Sequence, residues 1–355
     1  MAAITYKCPN CGGGLVFDPK AQTYKCEYCL SRFSLTELEA LAGTDGGKPQ
    51  EAGTGPTSEP RKEATGARLY HCPSCGAEIV TDETTAATFC YYCHNPVILE
   101  GRLDGSDQPD YVIPFAIGRK QAEEMFQQWI GKKRYVPSGF YSKKQIASMT
   151  GVYFPYWLYS CQVDGELEAE GVKLRMWDAG SLRYTERKTF EVSRRGTMSV
   201  RHMARNALKK ANRMLAEGVL PFQMEGLQEF QMGYLSGFVA EKRDMEQQLF
   251  AAEVEQEVQN FAVSSLKNSA EGYSSLNVRR QRADIQDARW RYGLFPVWTL
   301  TYKGPKDGTI YYFAMNGQTG KICGKLPVDK RKLAVLFLTV FVPILAFLLI
   351  GGYFI

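Results

Sequence analysis

Residues 6–13, YKCPNCGG, and 24–31, YKCEYCLS, return as YHCPSCGA at 70–77 and FCYYCHN at 89–95. Each cysteine of the second copy lies 64 positions after its counterpart, Cys72 after Cys8 and Cys93 after Cys29. So constant a displacement is an internal repeat. Each CxxC turn aims two sulfurs at one point, and two such turns on facing hairpins make the closed tetrahedral Cys₄ shell that suits structural Zn²⁺. The expected ligands are Cys8, Cys11, Cys26 and Cys29 for one ion and Cys72, Cys75, Cys90 and Cys93 for a second. Such shells leave no open position for catalysis. A segment of about thirty residues has too little core to fold unaided, whereas structural zinc supplies roughly 10–16 kcal/mol. Disulfides, a redox CxxC pair and a rubredoxin-type iron centre are the competing readings. His71 and His94 flank the second set, but four thiolates already complete each shell, so both are read as bystanders.

The repeat sets the domain plan: ribbons at 1–36 and 68–103, separated by 37–67. Ser34 and Glu37 form a capping-box pair ahead of Leu35, Leu38 and Leu41, and Gly43 can end that short helix. Residues 44–67 contain no aromatic and no aliphatic side chain larger than alanine, which predicts a flexible linker. Ribbons so joined are expected to move independently.

Residues 108–326 read as a mixed α+β domain with antiparallel strands. Ala122, Met125, Phe126 and Trp129 recur at helical spacing within 118–133 and are taken as core. The run Phe154-Pro155-Tyr156-Trp157 has a counterpart in Phe295-Pro296-Val297-Trp298, each leading into β-like sequence. Strands are expected at 158–163, 167–176, 299–302 and 310–315, with a turn at 304–308 and a tight reversal at 316–320. Helices are expected at 200–215, on the stripe Val200, Met203, Ala207, Leu208, Ala211, Met214 and Leu215, and at 239–263.

Beside the first of these stripes runs a row of cations. Arg201, Arg205, Lys209 and Arg213 repeat every four residues, joined by Arg194, Arg195 and Lys210, with no acid from 194 to 216. The reading is either a solvated face offset by distant carboxylates or a contact with an anionic membrane leaflet.

Residues 333–355 carry no charge, and 23 residues at a 1.5 Å rise give roughly 34 Å, enough to cross a hydrocarbon core of about 30 Å. This predicts a transmembrane helix, kinked near Pro343. Lys321, Lys325, Lys330, Arg331 and Lys332 precede it against Asp329 alone, which places the N-terminal bulk in the cytoplasm and makes the chain tail-anchored. A reducing compartment agrees with metal-held thiolates. The remaining cysteines, Cys161 and Cys323, are read as small buried apolar residues.

The 355 residues, 45% apolar and 23% charged with a net charge of +5, are ordinary for a globular chain. No GxxxxGK[ST], GxGxxG after a strand, HExxH or GxSxG occurs, and there are three histidines, so no catalytic residues are expected. Residues 68–102 hold two arginines against Glu78, Asp82, Glu83 and Glu100, too acidic to neutralise phosphates. Tyr24, Tyr28, Phe89, Tyr91 and Tyr92 are available for base stacking or as cover for the metal sites.

Together the paired ribbons, the stretch 112–115, TGVYFPYW at 150–157, 294–298 and FAMNGQTGKICG at 313–324 resemble an uncharacterised family of bacterial membrane proteins with TFIIB-type zinc ribbons, the YdjG type. The resemblance implies one membrane anchor, two zinc ribbons, no established activity, and association with flotillin-like (SPFH) and phage-shock-A-like proteins in envelope stress. Leu30 and His94 follow the last cysteine of each ribbon, where glycine is common in such ribbons. The expectation is a non-enzymatic membrane-anchored adaptor with protein and lipid partners; the alternative is a membrane-tethered nucleic-acid-binding protein.

Overall fold

The computed structural model of the chain describes residues 3–38, 68–90, 93–99, 101–103, 105–211, 213–304 and 309–353. The linker at 44–67, the helix end at Gly43, Tyr91, Tyr92 and most of the 304–308 turn lie outside them. The fold is mixed α+β. Two compact units form, the first from Met1–Phe154, Lys209–Lys242 and Leu294–Ile355, the second from Pro155–Leu208 and Arg243–Gly293.

In the first unit the ribbon hairpins are β2 (Leu15–Asp18), β3 (Thr23–Cys26) and β4 (Arg32–Phe33), then β5 (Arg68–His71) and β6 (Glu78–Thr81). The segment β1 (Ala3–Ile4) pairs with β8 (Pro96–Leu99) of the second ribbon, and β8 with β7 (Thr85–Phe89). The sheet continues through β13 (Val239–Glu241), residues 150–154 of β10 (Thr150–Ala179), 294–303 of β14 (Ser275–Lys303), β15 (Ile310–Asn316) and β16 (Ile322–Gly324). Short β9 (Tyr111–Val112) and β12 (Gln228–Glu229) pair beside it.

Both ribbons are therefore built into this unit, which corrects the expectation of independent movement. Ala87 of β7 pairs with Ala240, and the Lys242 N–H donates to the Thr84 carbonyl at 2.7 Å. On the first ribbon, the Phe17 N–H donates to Ser236 O at 3.0 Å and the Ser236 hydroxyl to Leu15 O at 2.5 Å. Its Phe17 ring packs edge-on against Tyr234.

Helix α1 (Arg119–Gly131) turns Ala122, Phe126 and Ile130 inward, with Phe126 against Phe313 at 4.7 Å between ring centres. Behind the sheet Phe115, Tyr153, Phe238 and Trp298 form one aromatic cluster. Two glycines of the quoted motifs permit it. A Cβ on Gly151 would lie 2.7 Å from the Phe238 ring, and one on Gly317 2.6 Å from Phe115, so any side chain there displaces the cluster. The reversal at 316–320 is tied down by Asn316, whose side-chain oxygen accepts the Gln318 and Thr319 N–H groups while its amide donates to Val219 O. The two related motifs share one device: each indole N–H finds a backbone carbonyl, Trp157 at Met245 O and Trp298 at Ile117 O.

The second unit is a long antiparallel hairpin of β10 and β11 (Leu182–Asn206) that turns at Gly180, covered on one face by α4 (Gln248–Ser269). Alternation is plain along β10: Val163, Leu167 and Ala169 are buried while Asp164, Glu166, Glu168 and Glu170 face outward. Phe250, Val254, Val258, Ala262 and Leu266 make the buried stripe of α4 at helical spacing.

Two helix boundaries differ from those read in the sequence. Residues 200–206 are strand, and the helix, α3, is confined to Arg213–Gly218. A β-bulge explains the misreading. Val200 lies opposite Cys161 and Met203 opposite Tyr159, so Arg201 and His202 together face Ser160, whose hydroxyl accepts the His202 N–H at 3.0 Å. The extra residue places Val200 and Met203 on one face three positions apart, which imitates helical spacing. Similarly, 239–241 pairs as β13, and the helix starts only at Gln248.

The capping box at Ser34 forms as expected: the Glu37 N–H donates to Ser34 Oγ at 3.2 Å, and Ser34 N–H donates to Glu37 Oε2 at 2.6 Å. At the other end, α5 (Lys330–Tyr353) is a single helix long and apolar enough to cross a membrane, with Pro343 inside it.

Candidate metal centres

Each ribbon offers two knuckles, and all four are built alike. The N–H of the residue after the second cysteine donates to the first cysteine's carbonyl: Gly12 to Cys8 at 2.8 Å, Leu30 to Cys26 at 3.1 Å, Gly76 to Cys72 at 2.8 Å and His94 to Cys90 at 2.9 Å. Closing that turn needs a left-handed backbone, and the four residues have φ of 72°, 62°, 74° and 57°. Glycine adopts this conformation freely, whereas Leu30 and His94 do so under strain.

The turns bring the eight expected cysteines into two clusters, Cys8, Cys11, Cys26 and Cys29, and Cys72, Cys75, Cys90 and Cys93, with all sulfurs of a cluster within 4.8 Å of one another. Sulfur pairs stand 3.5 Å apart for Cys8 and Cys29, 3.4 Å for Cys11 and Cys26, 3.6 Å for Cys72 and Cys93, and 3.7 Å for Cys75 and Cys90. A tetrahedral shell with metal–sulfur bonds of about 2.3 Å requires about 3.8 Å between sulfurs. The separations are near that value and far above the roughly 2.05 Å of a disulfide. His71 and His94 contribute to neither cluster.

Burial and the neighbouring sulfurs push the Cys93 thiol up to about 12, while the Ser31 hydroxyl and N–H hold Cys29 down to about 6. Four thiolates packed this closely repel one another, and a cation sharing the site would relieve that repulsion. Asn10 anchors Ser31 through a 2.9 Å bond to its hydroxyl, an outer layer around the first cluster. In the second ribbon Arg102, 2% exposed, donates to Tyr70 Oη at 2.7 Å and to the carbonyls of Asp82 and Glu83, tying the β6–β7 turn to β5.

The cationic row does not form one helical face. Arg194, Arg195, Arg201 and Arg205 lie on β11 in the second unit; Lys209, Lys210 and Arg213 belong to the first. Several are matched by carboxylates. Arg195 pairs with Glu166, Arg205 with Glu257, and Arg213 with Glu217 at 2.7 Å. Lys210 bridges Asp82 at 2.7 Å and Glu241 at 2.8 Å. Burial raises the Glu241 carboxyl, and Lys210 opposes that shift only in part. For Asp82 the balance reverses: burial would raise it, but hydrogen bonds from Lys210 and Thr85 bring it to about 2. Sequence spacing did not reveal these partners, which come from elements up to 128 positions away.

The fold and its two Cys₄ clusters define a double Cys₄-ribbon protein fused to an α+β sheet and followed by one apolar helix. The chain is 31% identical over 334 residues, 94% of its length and 93% of the relative's, to the Bacillus subtilis (strain 168) protein named "Uncharacterized protein YdjG". It belongs to the YdjG family. No family model and no solved structure matches it.

Proposed function

We propose that this chain is a non-enzymatic, membrane-anchored adaptor whose two ribbons each hold one structural Zn²⁺ and whose second unit docks a protein partner. Zinc is favoured over iron and disulfide because closed all-thiolate tetrahedra in a reducing compartment suit it best. Helix α5 is the anchor. Lys330, Arg331 and Lys332 at its N-terminal end favour a cytoplasmic position for the ribbons and sheet.

One observation carries the adaptor reading. Where the β10–β11 hairpin ends, Leu174, Met176, Trp177, Leu182 and Tyr184 are 44–67% exposed, with the Trp177 and Tyr184 rings stacked at 5.6 Å. Trp177, Tyr184 and Leu182 share one face of the hairpin end, and an exposed apolar group of this kind supports its reading as a recognition surface. The partner classes implied by the family resemblance, flotillin-like and phage-shock-A-like proteins, are the first to test. In intact protein drawn from mild detergent, Trp177→Asp with Tyr184→Asp should remove the co-purifying protein while zinc content stays at two ions per chain. Undiminished co-purification would discard the hairpin as the docking surface. A gel-shift series against salt tests the nucleic-acid alternative, which demands a steep loss of binding as salt rises.

A further inference from the structure

We propose that the cavity at the foot of α5 binds the phosphate headgroup of an anionic phospholipid. This inference rests on the reading of α5 as a membrane anchor and names a ligand for the surface beside it. The cavity has a volume of about 400 Å³, and Lys133, Arg134, Lys143 and Lys332 line it together with Gln127 and Tyr141. No carboxylate is among its lining residues. None of the four cations is held in an ion pair among the described residues.

The site is assembled by tertiary contacts. Loop 132–136, which follows α1, is fastened to the start of α5: the Asp329 N–H donates to Tyr135 O at 2.7 Å and Lys332 Nζ to Val136 O at 2.8 Å. Asp329, the nearest acid in sequence, is occupied in capping α5 by accepting the Arg331 and Lys332 N–H groups. Lys143 arrives on the first turn of α2 (Lys143–Ile146), which Ser142 caps, and Lys133 lies over the Trp129 ring. Four positive groups gathered in a cavity that no carboxylate lines, with Asp329 the one acid beside it, repel one another, and a bound anion relieves that repulsion.

Position and shape select a lipid. Lys332 immediately precedes Leu333, the first residue of the uncharged run, so the cavity stands at headgroup depth when α5 spans a bilayer. A second cavity of about 370 Å³ shares Lys133 and Arg134, adds Lys132 and Tyr135, and has an apolar wall of Val136, Leu326, Pro327 and Val328. A cationic cleft continuous through Lys133 and Arg134 with one that has an apolar wall matches the phosphate and the first carbons of an amphiphile. A soluble anion has no use for the apolar part.

The test places full-length protein in nanodiscs of phosphatidylcholine with a minor fraction of phosphatidylglycerol and counts co-ejected lipids by native mass spectrometry. Wild type should carry phosphatidylglycerol enriched about fivefold over its bulk share, the gain expected for one fully used cation near a membrane surface. Lys133→Glu with Arg134→Glu should abolish the enrichment, Lys133→Gln with Arg134→Gln should reduce it, and Arg201→Glu should leave it intact. Equal enrichment in wild type and both pocket variants overturns the proposal. So does displacement of the lipid by inorganic phosphate at matching concentration, which would assign the cavity to free phosphate. Carbonate extraction of cell membranes carrying the same full-length chain separates the two readings: wild type released from the membrane refutes the anchor itself, whereas retained protein without lipid preference in the nanodiscs refutes only the headgroup site.

Discussion

Replacing Leu30 with glycine should tighten metal binding at the first ribbon. Leu30 holds φ at 62° so that its N–H can close the knuckle on Cys26 O, while its side chain is 65% exposed. A non-glycine residue in this conformation costs about 1–2 kcal/mol. Glycine removes that strain but loses roughly 0.5–1 kcal/mol more chain entropy on ordering. The exposed leucine surrenders little burial, so the net gain is about 0.8 kcal/mol. If Zn²⁺ completes the ordering of the knuckle, as proposed, the gain is read as affinity, at most roughly fourfold. Competition for zinc against a chromophoric chelator, on detergent-solubilised full-length chain, measures it. The reverse change is the control: a Cβ at Gly12 meets nothing within 4 Å, so Gly12→Ala imposes left-handed strain alone and should weaken binding by a similar factor. Unchanged affinity in both variants would refute the strain argument.

Cys90→Ser should lower bound zinc from two ions to one per chain by elemental analysis, with the first ribbon's metal retained, since each shell draws on its own four sulfurs. Lys210→Met should destabilise the first unit by about 1–3 kcal/mol in denaturant unfolding because the Glu241 carboxylate, 8% exposed, loses its partner; adding Glu241→Gln should recover most of the loss. The Asp82 carboxyl, held at about 2 when folded, contributes stability that is fully present above its unfolded value of about 4 and is lost as pH falls toward 2. Lys210→Met should therefore flatten the acid limb of the stability profile over that window. Gly171→Val should cost about 1–3 kcal/mol, measured by thermal unfolding, because the new Cβ would lie 2.5 Å from the Tyr273 ring.

Where local chemistry dictates structure, the sequence could be read correctly. The capping box at Ser34, the inward stripe of α1 and the reversal at Asn316 each depend on residues within a turn or two of one another. The strand at 200–206 could not be read that way, because the bulge at His202 shifts its alternation by one position and only pairing with β10 reveals it. The distant carboxylates that one reading of the cationic row called for could not be named from the sequence: for Lys210 they are Asp82 in the β6–β7 turn and Glu241 on β13. The cavity beside α5 was equally hidden, although the run Lys132-Lys133-Arg134 was a signal that a basic loop needed a destination.

The sequence alone determined the two cysteine shells and the apolar helix, since a metal site depends on ligand type and spacing, and a membrane span on length and the absence of charge. Tertiary structure decided that the ribbons are parts of one sheet-bearing unit and not beads on a linker. The reason is that strand pairing is written in backbone hydrogen bonds, available to nearly any residue, so β1 with β8 and β7 with β13 leave no mark in side-chain spacing.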